Sequence, residues 1–119
     1  MRLNVIIAGS RNMTQAELIP LAVERSGFQV NSVICGMARG ADTLGRLWAE
    51  QQEIPVQHFP ADWNRYGRAA GPIRNRQMAE VADALIVFIW DNSKGSENML
   101  KQMQRAGKPC FVVREGVLP

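Results

Sequence analysis

Short apolar runs rich in β-branched residues alternate along this chain with segments whose apolar positions recur every three or four residues. Leu3-Asn4-Val5-Ile6-Ile7-Ala8, closed by Gly9, and Ser32-Val33-Ile34-Cys35, closed by Gly36, read as buried strands. Pro55-Val56-Gln57-His58-Phe59 stops at Pro60 and reads as an edge strand. Ala84-Leu85-Ile86-Val87-Phe88-Ile89-Trp90 is the strongest strand signal, and Pro109-Cys110-Phe111-Val112-Val113 is the last. The segments between them carry helix signals. Thr14 and Glu17 have capping-box spacing, while Pro20 makes the first helix start late or kink. Asp42 or Thr43 is placed to cap a second helix with Leu44, Leu47 and Trp48 on one face. Pro72 suits the first turn of a third, with Met78, Val81 and Ala82 inward. Ser96 is placed to cap a fourth with Met99, Leu100 and Met103 as its stripe, and Gly107 stops it.

The order is therefore β-α-β-α-β-α-β-α-β. Near-continuous apolar strands between amphipathic helices predict a parallel sheet covered on both faces, an α/β fold of three layers, α/β/α. Right-handed crossovers favour a Rossmann-like five-stranded sheet of order 3-2-1-4-5. At 119 residues, with no repeat or linker, the chain is expected to be a single domain over 1–119. Trp48 and Trp90 are expected in the core.

Composition narrows the class. An apolar share of 46% with 21% charged residues excludes a disordered chain. A net charge of +3 permits an anionic partner without demanding a nucleic acid. Cys35 and Cys110 lie in or at the end of apolar runs and read as small core residues. With no signal-peptide pattern, and no apolar run near the roughly 18 residues of a membrane span, a cytoplasmic protein is expected. His58 is the lone histidine and has no metal-ligand cluster around it, so no metal is expected. No nucleophile–histidine constellation is evident, and no cofactor is implied.

Charge placement is more informative than charge total. In an open parallel sheet, ligands bind beyond the carboxyl ends of the strands, where strand order reverses. That point lies between strands 1 and 4. Arg11, Arg39, Arg65, Arg68 and Lys94 sit in the loops that follow strands, and Arg74 and Arg76 come just after. These are seven of the fourteen basic residues. Cations beside helix N-termini oppose the helix dipole, which makes sense where an anion meets both. The alternative is that they are solvated charges paired with Asp42, Asp62 and Asp91. Gly36-Met37-Ala38-Arg39-Gly40-Ala41-Asp42 is a glycine-bounded turn from strand to helix, with neither the dinucleotide fingerprint nor a Walker lysine. Gly45 marks a close packing contact. Asp62-Trp63-Asn64-Arg65-Tyr66-Gly67-Arg68 sets two aromatics among cations. Trp63 there either stacks on a nucleobase or folds back over the core.

Taken together, these stretches resemble the SLOG superfamily, which joins DNA-processing protein A and the Lonely Guy phosphoribohydrolases. The match is with small standalone YspA-type, cpYpsA-related proteins. It runs through Ile6-Ile7-Ala8-Gly9-Ser10-Arg11, Cys35 to Asp42, Ala61-Asp62-Trp63 and Gly71-Pro72-Ile73-Arg74-Asn75-Arg76. The resemblance implies a Rossmann-like fold, a nucleotide or nucleotide-derived ligand, and a homodimer or higher homo-oligomer. Lonely Guy enzymes carry Pro-Gly-Gly-x-Gly-Thr-x-x-Glu before their last helix. Here Ser93-Lys94-Gly95-Ser96-Glu97-Asn98-Met99 keeps the Gly95-Ser96 turn but lacks the glycine pair. Met99 stands at the glutamate position.

The leading expectation is a sensor or sequestering protein for a phosphate-bearing nucleotide-type small molecule. Gly9, Ser10, Arg11, Gly36, Gly40, Gly95, Ser96 and the helix N-termini would surround the ligand, with Arg74 and Arg76 as an anion clamp. Asp42 would cap the second helix, orient Arg39 or hold a ribose hydroxyl, and Trp63 would meet a base. The alternative is a hydrolase of an N-glycosidic or phosphate bond, with Asp42, Asp91 or Glu97 as acid or base. A third reading, single-stranded DNA binding, is opposed by the mild charge and the lack of a basic tail.

Overall fold

The computed structural model describes residues Met1–Pro119. Five strands form one sheet: β1 (Arg2–Gly9), β2 (Gln29–Cys35), β3 (Val56–His58), β4 (Ala84–Ile89) and β5 (Cys110–Arg114). All pairings are parallel and the order is β3-β2-β1-β4-β5, as the apolar runs and crossover rule predict. The central strands alternate between two cores. Val5, Ile7, Ala84, Ile86 and Phe88 pack on one face, and Ile6, Ala8, Leu85, Val87 and Ile89 on the other. A run such as Ala84–Ile89 is thus continuous in sequence because both of its faces are buried.

The helices are α1 (Leu18–Ser26), α2 (Ala41–Gln51), α3 (Trp63–Tyr66), α4 (Ala70–Val81) and α5 (Lys94–Arg105). Helices α1 and α2 cover the first face, and α4 and α5 the second. The short α3 and a 3-10 turn over Gly67–Ala69 occupy what the composition presents as loop, with the Asp62 side chain accepting from the Arg65 amide.

Several helix starts and faces differ from the sequence pattern. Helix α1 begins at Leu18 with Glu17 at its cap position and no side-chain cap, so the Thr14–Glu17 box does not form. Pro20 is the third helical residue, where an amide has no intrahelical acceptor to lose. Gly40, not Asp42 or Thr43, caps α2; Ser93, not Ser96, caps α5. Val81 is exposed on α4, and Ala79 is buried instead. On α2 the buried residues are Ala41, Asp42, Gly45 and Ala49, whereas Leu47 is exposed and Leu44 and Trp48 flank the core. The pattern of large residues misleads there because the helix lies against β1 on its small side chains. Trp90 is also only half-buried, packing on Phe88 with ring centroids 6.2 Å apart.

Gly45 is the tightest point of that approach: a Cβ there would stand 2.5 Å from Ile7 Cγ2. Replacing a mid-helix glycine by alanine ordinarily gains up to about 1 kcal/mol. Gly45→Ala is expected to have the opposite sign, losing about 1–3 kcal/mol from overpacking. Urea unfolding at unchanged m-value measures this, and a stabilised variant would refute the close contact.

Candidate functional site

The carboxyl ends of β1 and β4 lie side by side, with Gly9 opposite Phe88. The chains then diverge into the loops leading to α1 and α5. Between them opens a cleft of about 320 Å3. Its wall is built from Gly9 to Asn12, Ala38 and Asp42, Arg74, Asn75 and Met78, and Trp90 to Met99 in part.

Gly40 brings α2 to this place. It has φ +74, and a Cβ on it would sit 2.3 Å from the Ser10 carbonyl oxygen. Only glycine lets the β2–α2 turn lie on the β1–α1 turn so closely. The Ala41 amide then donates to that same carbonyl at 3.2 Å. One helical position later, Asp42 is 4% exposed. Its Oδ1 accepts from the Gly9 amide and its Oδ2 from the Ala38 amide, both at 3.3 Å. Burial pushes its carboxyl above the ordinary range, and the two amides and the charges of Arg74 and Arg11 offset this only in part.

Arg74 enters from α4. Its guanidinium donates to the Gly36 carbonyl and, through Nε, to Asn75 Oδ1 at 3.0 Å. Burial holds its pKa below the usual arginine value, and nearby Asp42 opposes that shift. Gly36 separates the two charges: a Cβ there would meet Asp42 Oδ2 at 2.8 Å and Arg74 Nη1 at 2.9 Å. Asn75, buried, donates to the Gly95 carbonyl and to Asn98 Oδ1, tying α4 to the start of α5. The Lys94 and Gly95 amides have no acceptor within the chain, while Ser96 is held against the Ser93 hydroxyl.

The expected site residues separate into groups. Gly9, Ser10, Arg11, Asp42, Arg74, Gly95 and Ser96 converge on the cleft, and so does Asp91. The Ser10 hydroxyl, however, bonds the Trp90 backbone in both directions, which makes it a strut between β1 and β4. Asp91 accepts from Asn12 across the rim. Gly36, Arg39 and Trp63 line an adjoining depression. No hydrogen bond or ion pair joins Asp42 to Arg39. Arg76 lies outside: two residues from Arg74 is about 200° around a helix, and it pairs with Glu80 at 3.5 Å in solvent. The expected two-arginine clamp on α4 is therefore Arg74 alone. Glu97 also lies outside. Its carboxylate is gripped by both Arg114 nitrogens, at 2.8 and 3.1 Å, and this bonding holds its pKa below the ordinary range. Met99, two positions on, turns to the cleft instead.

Of the seven cations gathered at this edge, Arg76 alone has an ion-pair partner. Asp42, Asp62 and Asp91 bond amides and an asparagine, and none is within ion-pair distance of an arginine, although the charge of Asp42 still acts on Arg74. Asn75, Asn12 and Ser93 have roles that hydrophobic periodicity does not reveal. The Ser93-x-x-Ser96 spacing is the one local signal that marks any of them.

The sequence model of a family described as "YspA, cpYpsA-related SLOG family" matches residues 3–66, from β1 through α3. The chain is 31% identical over 117 residues to the Gene 61 protein of Mycobacterium phage D29, covering 90% of this chain and 93% of that protein. Among solved structures, DNA processing protein A from Streptococcus pneumoniae superposes with a TM-score of 0.74 at 18% identity. That likeness covers 93% of this chain and 50% of the other, so this chain corresponds to one half of it.

The raised Asp42 carboxyl has a consequence for stability. Between the unfolded value, about 3.9, and the raised folded value, the folded state holds the extra proton. Asp42's contribution is thus fully present below the unfolded value and is lost as pH rises through the folded one. Asp42→Asn, which keeps one acceptor for two amides, is expected to cost about 1–3 kcal/mol at acid pH. The gap to wild type should narrow as pH rises. Urea unfolding from pH 4 to 8 tests the sign; a gap that widens with pH contradicts it.

Proposed function

The chain belongs to the YspA, cpYpsA-related SLOG family, and on that premise we propose that it binds a phosphate-bearing nucleotide or nucleotide-derived ligand, as a sensor or sequestering protein. The observation that carries this reading is the meeting of two unpaired arginines, Arg11 and Arg74, with the free amides that open α5 at one cleft. A helix N-terminus offers donors and a positive dipole end to an anion. A guanidinium adds charge-assisted bonds in a fixed fork. Arg74 is already oriented by Gly36 and Asn75, so little of its side-chain freedom is left to lose on binding. Gly95 has open space around it and allows a phosphate to approach the backbone. Asp42, at the floor between the Gly9 and Ala38 amides, is the group nearest in character to a sugar-hydroxyl acceptor.

Binding is favoured over hydrolysis by the place of the acids. Glu97 is held by Arg114 outside the cleft, and Met99 faces it instead. Asp42 and Asp91 line the cleft but are fixed by two backbone amides and by Asn12, which suits them to orienting a ligand. We extend the proposal to a cytoplasmic setting; no helix of the structure is long and apolar enough to cross a membrane. Self-association into a homodimer or larger homo-oligomer is proposed with it.

The test is a thermal-shift and calorimetric screen of nucleoside mono- and diphosphates against the purified chain. A ligand that binds only the folded state raises the melting temperature. Arg74→Ala and Arg11→Ala are each expected to weaken binding about tenfold or more, since bonds to charged groups contribute about 1.5–3 kcal/mol. Arg76→Ala should stay within about twofold, because a solvent-exposed i,i+4 pair is worth well under 1 kcal/mol. Equal losses at Arg74 and Arg76 would place the ligand elsewhere.

A further inference from the structure

Beside the cleft lies a second depression of about 250 Å3, lined by Met37, Arg39, Pro60 and Trp63, which shares Arg11 and Arg74 with it. Trp63 is 50% exposed and belongs to neither core. It lies next to the first turn of α4, where a Cβ on Gly71 would stand 3.4 Å from its outer edge. An exposed aromatic beside a cationic depression is a platform on which a flat ring stacks. Met37, at the rim, is held at φ +65, a conformation that costs a non-glycine residue energy.

Each compartment alone is small. Ligand sites run from roughly 300 to 1,000 Å3, and the cleft at about 320 Å3 sits near the lower bound. The two joined are of ordinary size. The charged side chains common to both are Arg11 and Arg74, neither of them ion-paired. An anion placed between these arginines would have room for a ring-bearing unit on either side. The next aromatic, Tyr66, carries the Arg65 guanidinium over one face at 5.0 Å and does not line the depression. Trp63 is thus the one aromatic in its wall.

From this juxtaposition we propose that the ligand is a dinucleotide-type small molecule, two nucleoside units joined through phosphate. One unit occupies the cleft, the bridging phosphate lies between Arg11 and Arg74, and the second ring stacks on Trp63 with Arg39 at the lip. This rests on the nucleotide-binding reading above and adds to it the ligand's size and connectivity.

The test compares adenosine and guanosine 5′-monophosphates with their pyrophosphate-bridged dimers and with a four-nucleotide DNA strand. Calorimetry is run on wild type, Trp63→Ala, Trp63→Phe and Arg74→Ala. One bridged dimer is expected to bind wild type at least about tenfold tighter than its monomer. Trp63→Ala should cut that ratio about tenfold, the usual loss for one stacked base, while Trp63→Phe keeps most of it. Monomers that bind and respond to Arg74→Ala, but dimers that gain nothing, would overturn this proposal and leave the nucleotide site standing. A ratio unmoved by Trp63→Ala would overturn it too. Tighter binding of the four-nucleotide strand than of either dimer would mean a strand groove instead. If neither monomers nor dimers bind, both readings fall together.

Discussion

The buried carboxylate of Asp42 is the interaction on which the site's shape depends. It joins the end of β1, through Gly9, to the turn after β2, through Ala38, while sitting in the first turn of α2. The turn and the helix are neighbours in the chain, and Asp42 ties both to the end of β1, 33 residues away. A buried charge is tolerated when its lone pairs are engaged. Here two amides each engage one oxygen and the nearby Arg74 charge favours the ionised form, yet burial still raises the carboxyl's pKa. The glycines follow from the same constraint. Gly40 and Gly36 are places where any side chain would strike the Ser10 carbonyl or drive Asp42 and Arg74 apart.

No acid at this edge is within ion-pair distance of Arg11 or Arg74, although the buried Asp42 acts on both at longer range. The cleft thus carries an acidic residue at its floor and two arginines without contact ion pairs in its wall. The acids at the rim behave alike: Asp91 is engaged by Asn12, and Asp62 caps the short α3. The arrangement separates structural acids from the cations of the cleft by giving each of these acids a neutral donor. Glu97 is the exception, since it spends its charge on Arg114 at the end of β5, away from the cleft.

Much of this was legible in the sequence. The Ala84–Ile89 run, the Gly36-to-Asp42 turn and the Ser10-Arg11 loop sit where the apolar periodicity and the switch-point rule put them. What periodicity could not reveal was which side of each helix carries function. Arg74 and Arg76 are equivalent by composition, but helical rotation sends one into the cleft and the other to Glu80. Periodicity puts Leu47 on the core face, yet α2 rests on Ala41, Gly45 and Ala49, because close approach to β1 needs small side chains. The sequence admits two fates for Trp63, and the structure leaves its ring exposed beside the second depression rather than folded over the core.

Sequence alone determined the sheet, its order and the edge at which charges gather, because these depend on local patterns: strand runs, crossover handedness and loop position. It could not determine partners across long separations. That Asp42 would take the amides of Gly9 and Ala38 and leave Arg74 to the Gly36 carbonyl was decided by tertiary packing. The reason is physical. A buried polar group bonds whatever donor the fold brings within about 3 Å, and that proximity is a property of the assembled layers rather than of any segment.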